Sequence, residues 1–101
     1  MISVQNVIRE VAFRTGTTPD LLKGPRRSRP LAYPRQLAFL LSASLCPHVS
    51  IVKISREFNR DHTTVLYGIK RAQTRLRENP ALQKLADEIC EQVKRGAYGV
   101  S

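Results

Sequence analysis

Apolar residues recur at helical spacing along almost the whole of this chain, and almost nothing in it alternates as a half-buried strand would. Val4, Val7, Ile8 and Val11 fall at i, i+3, i+4 and i+7, Val65, Ile69, Ala72 and Leu76 at i, i+4, i+7 and i+11, and Leu82, Leu85, Ala86, Ile89 and Val93 make a third stripe. Each stripe is one face of a helix that must bury itself on another helix. Punctuation then divides the chain. Ser3 caps a first helix and Gly16 stops it; Thr18 with Pro19 opens a short second helix that ends at Gly24-Pro25. A third helix is expected from about Pro34 to Leu45, and its near-continuous run Leu37-Ala38-Phe39-Leu40-Leu41 marks it as the central one. Ser50 caps a short fourth helix carrying Ile51, Ile54 and Phe58, Asn59-Arg60 makes a turn, and a fifth helix begins near Asp61. Asn79-Pro80 opens the last helix, which Gly96 stops. The expected fold is all-α with about six helices: one domain over residues 1–96 and a flexible tail over 97–101.

Charge narrows the function. Seventeen Lys and Arg against eight Asp and Glu give a net charge of +9, which favours a polyanionic partner. The excess is concentrated: residues 1–60 hold ten basic and three acidic side chains, residues 61–101 seven and five. The last helix balances its charges and reads as scaffold. No apolar run approaches a membrane span, and the amino terminus carries no basic segment followed by a hydrophobic one. Cys46 and Cys90 are isolated thiols on apolar helix stretches, expected buried and reduced. Together with His48 and His62 they fit no zinc spacing, so no metal is expected.

Two groups of residues carry the chemistry. The first is the polar run Arg60-Asp61-His62-Thr63-Thr64 at the start of the fifth helix, directly after a tight turn. In a helix-turn-helix the second helix enters the major groove, and its first turn reaches the base edges. Asp61 caps the helix and can also accept from a cytosine amino group, Thr63 offers a hydroxyl and a methyl, and His62 can donate to a base or phosphate. The plainer reading keeps Asp61 as a cap only and His62 turned toward the apolar side. The second group is the loop Arg26-Arg27-Ser28-Arg29, followed by Arg35-Gln36. The stretch 24–30 that contains it has no apolar residue and two prolines, Pro25 and Pro30, and is expected to be extended. A guanidinium on such a loop suits a narrow, A·T-rich minor groove, while Arg35 and Gln36 could donate to phosphates. The plainer reading is a solvated basic loop that attracts any polyanion.

Arg26-Arg27-Ser28-Arg29, then Pro34-Arg35-Gln36, then Ile54 and Phe58 leading into Arg60-Asp61-His62-Thr63-Thr64-Val65-Leu66, resemble the carboxy-terminal DNA-binding domain of the bacterial replication initiator DnaA, from about Ser3 to Arg95. The resemblance implies an all-α fold with an extended, Trp-repressor-like helix-turn-helix that binds double-stranded DNA at a short asymmetric box of the TTATCCACA type. It implies that Arg27 enters the minor groove, that Asp61, His62 and Thr63 read bases in the major groove, and that Arg29, Arg35, Gln36 and Thr64 hold phosphates, with Arg26 and Arg60 completing the cationic set. Three positions depart from the family pattern. Phe58-Asn59-Arg60-Asp61 is one residue shorter than the usual Phe-Gly-Gly-Arg-Asp, with Asn59 able to take the left-handed conformation a glycine would supply. Lys53 stands where an acid is common, and Tyr33 where an Arg is common.

A phosphate-binding G-x-x-x-x-G-K-[ST] loop does not occur in the chain, and Met1 stands almost at the first helix. The expectation is a stand-alone cytoplasmic regulator at the nucleoid, monomeric, without nucleotide, cofactor or membrane partner, that occupies initiator-type boxes. The alternative is a helical adaptor for a replication or transcription protein, with the DNA surface secondary. An enzyme is not expected: Asp61-His62 could mimic an acid/base pair, but no nucleophile or third group accompanies it.

Overall fold

A computed structural model of the chain describes residues 2–25 and 29–97, and these form six helices: α1 (Val4–Thr15), α2 (Pro19–Lys23), α3 (Arg29–Leu45), α4 (Ile51–Glu57), α5 (His62–Glu78) and α6 (Pro80–Ala97). The described residues contain no strand. Local chemistry sets most of the boundaries. The Ser3, Thr18 and Ser50 hydroxyls accept the backbone N–H of Asn6, Leu21 and Lys53, and the Asn79 side chain accepts from Ala81 and Leu82. At the end of α1, Gly16 turns left-handed at φ 73°, and Thr17 N–H closes onto the Ala12 carbonyl at 2.9 Å.

The end of α4 is built the same way without a glycine. Asn59 sits at φ 55°, Arg60 N–H reaches the Ser55 carbonyl at 3.0 Å, and Asn59 N–H reaches that of Arg56 at 3.1 Å. One left-handed Asn therefore closes a complete Schellman turn and delivers the chain to Asp61.

α3 is the central helix, packed chiefly on α5 and α1. Leu37, Ala38, Phe39, Leu40, Leu41 and Ser42 are all buried, as are Val4, Val7, Ile8 and Val11 of α1. α3 begins at Arg29, a turn and a half before the start expected from the sequence, and Pro34 lies inside it. Pro30 at its second position loses nothing, because a first-turn N–H has no intrahelical partner; Pro34 forfeits one backbone bond, offset by burying Leu31 and Pro34 on the face that continues to Ala38 and Leu41. The extended loop expected over 24–30 therefore ends before Arg29. At the other end of the chain, α6 runs through Gly96 to Ala97, and the expected tail from residue 98 onward lies outside the described residues.

The junction of α3, α4 and α5 fixes the helix-turn-helix. Phe39 and Phe58, both buried, meet edge to face with centroids 4.7 Å apart. Gly68 of α5 lies directly over Phe39, where an added Cβ would come within 2.6 Å of the ring. The crossing of α5 over α3 thus depends on a residue without a side chain. The Arg75 guanidinium rests over the Tyr33 ring at 5.4 Å and joins the same two helices further along.

Candidate nucleic-acid interface

α5 is held by Val65, Gly68 and Ala72, all buried, and by Ile69 and Leu76, both half-buried. Anchoring that stripe leaves the other side of the first turn outside, so Asp61, His62, Thr63 and Thr64 are all exposed. Tyr67, Lys70 and Thr74 continue the exposed face. Asp61 is also the helix cap: its carboxylate accepts the Thr64 N–H at 2.8 Å. That backbone bond, joined by the Thr64 hydroxyl and the neighbouring His62, holds the Asp61 carboxyl below its ordinary range. The carboxylate is thus oriented before any partner arrives, and its remaining lone pairs face solvent.

The turn before α5 is tied to the end of α2. A five-residue helix leaves its last carbonyls without internal donors, and here side chains from elsewhere in the chain supply them. Arg35 of α3 donates from Nε to the Leu22 carbonyl at 2.9 Å and from Nη2 to those of Leu21 at 2.9 Å and Gly24 at 3.4 Å. Asn59 Nδ2 donates to the Lys23 carbonyl at 3.2 Å, and Arg60 Nη2 to the Gly24 carbonyl at 2.6 Å. Four successive carbonyls, from Leu21 to Gly24, are therefore satisfied by α3 and the turn. Arg60 Nη1 also donates to the Phe58 carbonyl at 2.9 Å, inside the turn itself.

These bonds bear on two sequence expectations. Arg35, expected on a phosphate, is 7% exposed and engaged with carbonyls; burial, and then the nearby Arg60 guanidinium, lower its pKa without discharging a group that titrates far above neutrality. Arg60, expected on DNA, is half-buried between the turn and Gly24. The geometry favours these short carbonyl contacts because a charged donor meets oxygens that would otherwise lack partners. Gln36 is half-buried against α5, with its Oε1 buried and unpartnered among the described residues, so any phosphate contact there falls to Nε2. Arg26 and Arg27 lie outside the described residues, as does the Arg29 side chain; Arg29 itself begins α3. The clue to the tie was available in the sequence: a helix as short as Pro19-Asp20-Leu21-Leu22-Lys23, ended by Gly24-Pro25, needs outside donors for its carbonyls.

Cys46 is fully buried, with its thiol directed at the Ile2 carbonyl, and burial raises its pKa; Cys90, expected buried, is only half so. Among the described residues no cluster of His, Cys, Asp and Glu could hold a metal ion, and no helix is long and apolar enough to cross a membrane.

α4, the turn and the first part of α5 fall within a match to a known family. Residues 4–72 match the family model described as the bacterial dnaA protein helix-turn-helix. The chain is 32% identical over 93 residues to the chromosomal replication initiator protein DnaA of Deinococcus radiodurans, and 34% identical over 94 residues to that of Treponema pallidum. In both cases the match covers 92% of this chain and 20% of the relative, so the chain spans about a fifth of the length of these initiators. The chain belongs to the bacterial DnaA helix-turn-helix family, matching the carboxy-terminal domain of those proteins.

Proposed function

We propose that this chain binds double-stranded DNA sequence-specifically at DnaA-box-type, A·T-rich sites, and that it acts as a small regulator of replication or transcription at the nucleoid. Membership of the helix-turn-helix family supports the DNA-binding part. The observation that carries the reading is the exposed first turn of α5, where Asp61, His62 and Thr63 project from a helix whose other face is locked into the core by Val65 and Gly68. In this reading α5 enters the major groove, Thr63 and His62 meet base edges, Asp61 accepts from a cytosine amino group, and Thr64 meets a phosphate. Arg26, Arg27 and Arg29 follow from Gly24, whose carbonyl is held by Arg60; the loop is thereby rooted beside the recognition helix, and Arg27 is assigned to the minor groove. Arg35 and Arg60 are positioning residues here: they hold the root of that loop. Occupying boxes as a monomer, without ATP hydrolysis, is the regulatory part of the proposal.

Selection of bound duplexes from a random pool tests it. Enrichment of one compact, A·T-rich box is the expected result. A pool that stays random at protein concentrations where duplexes are retained would leave only non-specific charge attraction, and no retention at all would favour the adaptor.

A further inference from the structure

α4 is short, and its sequence Ile51-Val52-Lys53-Ile54-Ser55-Arg56-Glu57 divides into two sides. Ile54 and Ser55 are buried, and Phe58 follows them into the core. Val52, Lys53 and Arg56, at i, i+1 and i+4, are exposed on the other side. That side borders a hollow of about 580 Å³ lined by Lys23, Ser50, Val52, Lys53, Arg56, Glu57 and Asn59. Three cations from two helices surround it.

Little in the described structure neutralises them. Glu57 is the one acid at the hollow, and its Oε2 accepts the Gln5 amide of α1. Lys23 reaches only the Gln5 Oε1, at 3.5 Å. The ion pair found among the described residues, Arg14–Glu88, joins α1 to α6 elsewhere. Mutually repelling cations with no carboxylate partner disfavour the free protein slightly and favour an anion in the gap.

The hollow also has a fixed relation to the recognition helix. Asn59, which closes the α4 turn and donates to the Lys23 carbonyl, lines it and stands two residues before Asp61. A duplex whose major groove receives the first turn of α5 must carry its backbone past α4, because the first helix of a helix-turn-helix crosses the backbone. We infer that Lys53 and Arg56, with Lys23 behind them, form a second phosphate-contact track along α4, separate from the basic loop and from the first turn of α5. This rests on the DNA-binding reading above and adds the place where the flanking backbone is held. The track contributes affinity and salt dependence and carries no base information, since phosphate oxygens are the same at every step.

The test compares the parent with the double variant Lys53→Gln/Arg56→Gln, both sites being exposed, by fluorescence anisotropy on a duplex bearing the selected box and on a scrambled duplex, between roughly 50 and 200 mM salt. A second double variant, Lys84→Gln/Arg95→Gln, removes the same charge from exposed positions of α6, which packs on α1, α3 and α5. Loss of two phosphate contacts should make the slope of log affinity against log salt shallower by about 1.8, with the same fold-loss of affinity on both duplexes, while the α6 variant keeps the parental slope. A parental slope in the α4 variant, or an equal loss in the α6 variant, overturns the track while leaving DNA binding standing. A parent that binds neither duplex overturns the function itself and the track with it.

Discussion

Thr63 and Asp61 occupy the same exposed turn and are expected to behave oppositely when altered. The Thr63 side chain makes no hydrogen bond among the described residues, and the residue is exposed. Thr63→Ala should therefore leave the melting temperature unchanged and weaken binding by roughly 1–3 kcal/mol on the selected box only, measured against a scrambled duplex. An equal loss on both duplexes would assign Thr63 to phosphate. Asp61 instead holds the start of α5, and its carboxyl is pulled below the usual range chiefly by the Thr64 N–H. A carboxyl lowered on folding stabilises the protein above its unfolded pKa, and the benefit is lost as pH falls through the folded value. Stability should then be flat with respect to this group from neutral pH down to the ordinary aspartate range and decline below it. The corresponding decline should be reduced in Asp61→Asn, whose amide oxygen still caps the helix without titrating. Identical acid unfolding curves for the two proteins would mean that the cap does not contribute through its charge.

Elements meet through two contacts that are open to direct test. Gly68→Ala adds a helix-favouring methyl worth up to about 1 kcal/mol, yet places it 2.6 Å from a buried ring, an overpacking cost of about 1–3 kcal/mol. The net expectation is a loss of about 1 kcal/mol in chemical denaturation. In a Phe39→Leu background the same change should become neutral or favourable, and a loss of the same size in both backgrounds would show that the ring is not what Gly68 accommodates. Arg35→Ala strips donors from three carbonyls of the α2 end and should lower stability by about 2–3 kcal/mol, with Arg35→Lys failing to restore it because one ammonium cannot span the fork. An unchanged melting curve with uniformly weaker binding would return Arg35 to the phosphate role that the sequence suggested. These cases also show what the sequence made legible. Helix faces and caps were readable, because burial repeats every few residues and Ser3, Thr18, Ser50 and Asp61 meet N–H groups only three residues on. The ties of Arg35, Asn59 and Arg60 to the α2 end span 11 to 36 residues, and no local pattern encodes them. The start of α3 was obscured because Pro30 reads as part of a loop and Pro34 as a first-turn proline, although the burial of Leu31 outweighs one missing backbone bond.

At the scale of the whole molecule, the basic excess and the fold act together. The end of α2 and the turn before α5 are joined because Asn59 donates to the Lys23 carbonyl and Arg60 to that of Gly24, whereas α6, which packs on α1, α3 and α5, balances its charges. In the proposed reading, the bonds that hold the end of α2 against the turn before α5 keep the ordering cost of binding low. The shorter turn at Asn59 keeps a complete Schellman closure, so α5 starts from a fixed position and not from a frayed end. From this follows the expectation for its effect on an initiator. If the box preferences overlap, this chain should occupy the boxes of an origin fragment without opening the duplex, and increasing amounts should displace a full-length DnaA initiator from them. Footprinting with both proteins present measures this. Protection by the small protein at the initiator's own boxes, with no hypersensitivity in the neighbouring A·T-rich region, is the expected pattern. If it protects none of those boxes at concentrations where it protects its own selected site, the two proteins read different sequences, the competitor expectation fails, and a separate set of sites becomes the better reading.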